Sequence, residues 1–148
     1  MRIASFFLLL LISTAYGQVD DLFYANDGKI SFRSESKQEL INASSNEMQG
    51  IIDEKKKTFV FKVMIRTFKG FNSELQQEHF NENYVESSKY PRAYFKGSIQ
   101  SVPTIDLTKN ANYQFNVKGT MQLHGKTAEM ATVAQLQVKD GIISGDSN

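Results

Sequence analysis

The chain has no cysteine and no tryptophan, and only two histidines and two prolines in 148 residues. Without cysteine there is no disulfide framework, no thiol nucleophile and no cysteine-ligated metal. Charge of one sign is equally scarce, because 17 basic residues face 16 acidic ones. That balance argues against a nucleic-acid partner, which calls for a basic surface. There is no G-x-S-x-G, no P-loop and no G-x-G-x-x-G. A long hydrophobic run is also missing. The longest apolar stretch, Ile3 to Ile12, is far short of the ~20 residues a helix needs to cross a bilayer.

That stretch has its own pattern. Arg2 precedes it, and the small residues Ala15 and Gly17 follow, which is the layout of a secretory signal peptide cleaved between Gly17 and Gln18. Residues 1–17 are therefore set outside the fold. Residues 18–148 form one domain, with a formal charge of zero once Arg2 is gone. The reading implies a periplasmic or secreted protein without a stable membrane anchor. With no disulfide to staple it, such a protein relies on packing, for which phenylalanine and tyrosine are plentiful.

What remains alternates. After the polar passage "VDDLFYANDG", Ile30 and Phe32 share one strand face against Lys29, Ser31 and Arg33. A less regular strand runs from Leu40 to Ile52, and Asp53–Lys57 reads as a charged turn. In "TFVFKVMIRTF", Phe59, Phe61, Val63 and Ile65 lie on one face. Ala93, Phe95, Gly97 and Ile99 do so in "AYFKGSI". Tyr113, Phe115, Val117, Gly119, Met121 and Leu123 repeat the pattern, with Gly125 and Lys126 as a tight turn after them. Asp140–Gly141 is a hairpin signal. Short strands joined by turns indicate an antiparallel sandwich or barrel.

One passage breaks the rhythm. "SELQQEHF" carries Ser73 and Gln76 at capping-box spacing, so a short helix follows Ser73, with Leu75, His79 and Phe80 as its apolar side. Pro91 ends helical possibilities and keeps Tyr90 extended before the next strand.

The passage from Phe68 to Ile99, with "KYP" at Lys89–Pro91 and "GTMQLHG" at Gly119–Gly125, resembles the YceI-like family of exported lipid-binding proteins. The resemblance covers the chain from about Gly28 onward. It implies an all-β fold: an elongated, lipocalin-like antiparallel β-barrel with one short helical insert, enclosing a long apolar molecule such as a polyisoprenoid or fatty amide. Family members continue with another strand past "GDSN", so the C-terminal closing strand is expected to be missing, with the chain a fragment. Two open sheet edges would result, leaving room for edge-to-edge association or a homodimer.

On this reading Phe59, Phe61, Val63, Ile65, Phe95, Ile99, Phe115, Val117 and Met121 line the tunnel. Gly97 and Gly119 leave space among them, where a glycine fills none. His79, Phe80, Tyr84 and Tyr90, with the helix and "ESSKYP", form its rim or plug. The partner is a long-chain isoprenoid or amide lipid, with no cofactor, no metal and no catalysis. His79 sits among Glu78, Glu82 and Glu86, but a zinc site takes three or four ligands and no second histidine is near in sequence. A half-buried imidazole bonded to loop backbone is the expectation for His79, and a solvated side chain for His124. Two other classes stay open: a structural or stress envelope protein with a filled core, and a hydrolase using His79 and Glu82.

Overall fold

The structure, a computed structural model, describes residues 6–12, 22–35, 39–100 and 106–147. Eight strands follow in chain order: β1 Phe6–Ile12, β2 Leu22–Glu35, β3 Leu40–Asp53, β4 Thr58–Met64, β5 Arg92–Gln100, β6 Ala111–Leu123, β7 Lys126–Lys139 and β8 Ile142–Ser147. Each pairs antiparallel with its neighbours in sequence. Strands β2 to β8 make a curled seven-stranded sheet, a half-barrel whose free edges are β2 and β8. Between those edges lies β1, with Phe6–Leu9 paired to Phe32–Lys29 and Leu8–Ile12 paired to Ser147–Ile143. The ring is thereby closed.

This differs from the expectation that residues 1–17 stand outside the fold. An edge strand presents unpaired N–H and C=O groups, and an apolar extended segment satisfies them whatever else its sequence encodes. A further difference is the start of β2. "LFYANDG" belongs to the strand, and its irregular look comes from register shifts between Ala25 and Gly28 and between Gly28 and Ile30.

The turns follow local chemistry. His124 and Gly125 (φ 53° and 67°) join β6 to β7, and Asp140 and Gly141 (φ 52° and 78°) join β7 to β8. Two successive positive φ values make both of them type I′ hairpins, the twist-matched connection for adjacent strands. The first turn lies one residue earlier than the expected Gly125–Lys126.

Between β4 and β5 the chain leaves the sheet. Ile65–Thr67 forms a 3-10 turn, Ser44 and Lys69 exchange two backbone bonds of 2.8 Å, and α1 spans Glu74–His79. Ser73 caps α1, its Oγ accepting from the Gln76 N–H at 3.1 Å. The Gln76 side chain accepts from the Asn72 N–H at 2.9 Å, so the box closes one residue earlier than the standard form. A π-helical turn, Phe80–Tyr84, continues α1.

The insert lies across one end of the barrel. Phe80 stacks on Phe32 of β2 (5.1 Å between centroids) and tilts against Phe71 (5.1 Å), while Phe68 meets Phe32 edge-on at 5.3 Å. Each such pair contributes about 0.5–1.5 kcal/mol beyond area burial. Buried Ile65 and Val85 belong to the same hydrophobic core.

Candidate functional site

The other end holds a cavity of about 90 Å³. Strand polarity places it there. Residues of β4 and β5 far from α1 line it (Phe59, Phe61, Phe95 and Ile99), with Phe115 and Val117 of β6, while the β3–β4 turn supplies Glu54 and Lys57. The sheet pleat turns all six of those apolar side chains inward, because inward and outward positions alternate along each strand. Lys57 adopts φ 56° at the mouth, and its carbonyl accepts from the Ile99 N–H at 2.8 Å, which ties the turn to β5.

Leu107 reaches the cavity from the turn that precedes β6. Its position is held on both sides. The Tyr113 hydroxyl accepts from the Asp106 N–H at 3.1 Å and donates to the Asp106 carbonyl at 3.0 Å. The Asp106 carboxylate accepts from the Thr108 hydroxyl and, at 3.0 Å, from the Thr108 N–H, and pairs with Lys109 at 2.9 Å. These donors, the Thr108 hydroxyl foremost, lower the Asp106 pKa to about 2.

Of the nine residues expected to line a tunnel, Phe59, Phe61, Phe95, Ile99, Phe115 and Val117 border the cavity. Val63, Ile65 and Met121 do not. Val63 and Ile65 are buried nearer α1, Ile65 within the 3-10 turn, and Met121 is half-buried on β6. Alternation along a strand assigns a face but gives no depth along the barrel. Phe23, Ile52, Ala134, Leu136 and Ile143 also border the cavity. Leu136 could have been found, since it alternates with Val138 in "AQLQVK", whereas Leu107 carries no periodic signal.

The glycines differ from expectation as well. Gly97 and Gly119 pair directly, and a Cβ on either would stand 2.2 Å or 2.4 Å from a carbonyl oxygen of the facing strand. They permit close approach of two backbones. The Phe95 ring lies over Gly119, so the space is already filled.

The expected rim lies at the opposite end from the mouth. Phe80 is buried in the aromatic cluster, and Tyr84 is exposed, its hydroxyl donating to Glu39 at 3.3 Å. Tyr90 is half-buried, edge-on to His124 at 5.2 Å. His79, expected half-buried, is exposed. The buried face of the insert is instead Gln76, Phe80 and Asn81. Gln76 donates to Glu39 at 2.9 Å and to the Leu40 carbonyl at 3.2 Å, which docks the helix on the start of β3. At about 100° of turn per residue, Phe80 and Asn81 lie round the helix on one side of Gln76 and His79 on the other, so His79 falls outside the buried face. Glu82 pairs with Arg66 at 3.2 Å on the surface. Neither His79 nor Glu82 borders the cavity.

His124, expected to be solvated, instead bonds Glu86 through Nε2. That bond is the main cause of a lowered Glu86 pKa.

An apolar pocket within a curled antiparallel sheet, with a helical insert over the far end, invites comparison with known proteins. No curated protein matches the chain. Among solved structures, a polyisoprenoid binding domain from Saccharophagus degradans, implicated in plant cell wall breakdown, shares the fold. Its TM-score is 0.56 at 12% identity, over 99% of this chain and 96% of that one. A mutant CJ YceI protein with a monobromobimane guest aligns with a TM-score of 0.41 at 12% identity, over 84% of this chain and 60% of that one. The YceI-like domain matches residues 9–147, nearly the whole sequence, and the chain belongs to the YceI-like family.

Proposed function

We propose that this protein binds an apolar chain, of the polyisoprenoid or fatty-amide class, without catalysis, in the cell envelope. The observation that carries the reading is the cavity. Phe59, Phe61, Phe95, Phe115, Val117 and Leu136 wall it with carbon, and charged residues join the lining at three places, Glu54 and Lys57 at the mouth and Asp146 on β8. Such a site recognises its ligand through burial. Each methylene taken from water contributes about 0.8 kcal/mol, and one hydrogen bond at the mouth adds only about 1 kcal/mol. Selection by apolarity and shape follows, with weak discrimination between head groups. Family membership and the fold shared with a polyisoprenoid binding domain support the same class of ligand.

Export fits this role. The leader pattern at residues 1–17 would direct the protein to the periplasm or outside, where apolar molecules need a carrier or a store. Cleavage after Gly17 would remove β1 and part the seam between β2 and β8, beside the cavity residues Ile143 and Gly145. The precursor and the processed protein then differ in access to the interior.

Native mass spectrometry of the purified protein, with organic extraction of what it carries, tests the reading. An apolar ligand at near one per chain is the expected result. A ligand-free protein that also takes up no added prenol would overturn it.

A further inference from the structure

We infer that the rings of Phe61 and Phe95 are the floor of the cavity and set the length of the apolar chain it takes. The inference rests on the chain-binding reading above. In the sheet, Gly50, Phe61, Phe95 and Met121 stand opposite one another on β3, β4, β5 and β6, a single row around the wall. This row is the last to reach the cavity, through its two phenylalanines. In the next row toward α1, Met48 and Val63 are 1% and 3% exposed, and they stay out of contact with it, as does Ala93.

Two glycines seat the floor. A Cβ on Gly50 would come within 2.5 Å of Phe61 Cδ1 and Cε1, so that ring lies flat across the glycine. A Cβ on Gly119 would come within 2.9 Å of Phe95 Cε2. Phe59 braces both rings, 5.5 Å from Phe61 and 5.1 Å from Phe95. An aromatic ring covering a glycine on a neighbouring strand is a known device for filling the space the glycine leaves. Here it divides the barrel crosswise. The open part runs from Lys57 to Phe61, about 13 Å of strand at roughly 3.3 Å per residue and less along a tilted barrel axis. That is room for a short prenyl or acyl chain. A longer one must dislodge the rings from their glycine seats or leave its end in water.

The test is a series of prenols of rising length. Affinities of geraniol, farnesol and geranylgeraniol are measured by calorimetry on the wild type and on Phe61→Ala and Phe95→Ala. The wild type should gain affinity up to the length that reaches the floor and gain nothing beyond it. Either alanine variant should shift the geranylgeraniol-to-farnesol ratio at least about tenfold toward the longer chain, since one more isoprene unit is then buried. Should an alanine variant fail to fold, Phe61→Leu and Phe95→Leu give the same readout with a smaller shift. A wild type that prefers geranylgeraniol, with a ratio unchanged in the variants, overturns the floor and leaves chain binding standing. Failure of every prenol to bind the wild type overturns the chain-binding reading itself, and this inference with it.

Discussion

His124 and Glu86 meet across the α1 end of the barrel, the imidazole Nε2 bonded to a carboxylate oxygen. Thirty-eight residues apart, they join the β6–β7 hairpin to the loop that leads from the π-helical turn into β5. Both take a left-handed backbone conformation, with φ 46° at Glu86 and 53° at His124. Tyr90 stands edge-on to the imidazole, and Lys89 lies over the Tyr90 ring at 5.1 Å. The contact latches the helical insert to the sheet.

The latch gives a pH dependence with a definite sign. Hydrogen bonding from His124 holds the Glu86 pKa below its ordinary 4.5 in the folded state. A depressed carboxylate stabilises the fold above the ordinary value, and that contribution is lost as pH falls through the folded one. Glu86→Gln should therefore lower Tm at neutral pH, and its gap from wild type should narrow in buffers below 4.5. Thermal melts across that range decide it. A gap that stays constant would show that the carboxylate charge contributes nothing.

Gly125 shares the same corner. A Cβ there would come within 2.6 Å of the Tyr90 ring, on a residue whose φ is 67°. Gly125→Ala should destabilise through both strain and collision, by about 1–3 kcal/mol. Denaturant titration of Gly125→Ala beside Gly125→Ala/Tyr90→Leu separates the two causes, since only the collision is relieved in the double variant.

Gln76 and His79 sit on one short helix with opposite expectations. Gln76 is buried and makes three hydrogen bonds, so Gln76→Ala should cost about 1–3 kcal/mol. His79 is exposed, and His79→Ala should stay within about 0.5 kcal/mol of wild type. Chemical denaturation that reversed this order would place the anchoring side chain of the helix wrongly.

The two ends of the barrel should also respond differently. Phe80→Ala opens the aromatic cluster and should cost about 3–5 kcal/mol, with prenol affinity in the folded fraction unchanged. Phe115→Ala, in the cavity wall, should weaken prenol binding as well as stability. Equal losses of affinity in both variants would mean that the ligand reaches the α1 end.

Loosening the mouth should act on kinetics. Tyr113→Phe removes the hydroxyl that bonds both backbone groups of Asp106, and with it the support of Leu107. Faster release of a bound fluorescent fatty amide is expected, at nearly constant stability. An unchanged off-rate would show that Leu107 does not restrain the ligand.

Much of this architecture was legible in the chain. Inward and outward faces of β4, β5 and β6 follow from alternation, the Asp140–Gly141 hairpin from its dipeptide, and the start of α1 from Ser73 and Gln76. These are local properties, governed by pleat, turn and cap chemistry within a few residues. Depth was not legible. Phe59 and Ile65 belong to the same alternating series, yet one walls the cavity and the other is buried in the 3-10 turn away from it, because depth depends on where the chain leaves the sheet for the insert. Gly119 read as a gap in its own strand, but the ring that covers it comes from β5, and only cross-strand register brings the two together. His124 looked solvated because its partner lies in a distant loop. Residues 6–12 carried a leader pattern, and their pairing with both β2 and β8 depends on two edges that only the curl of the sheet brings within reach of one strand.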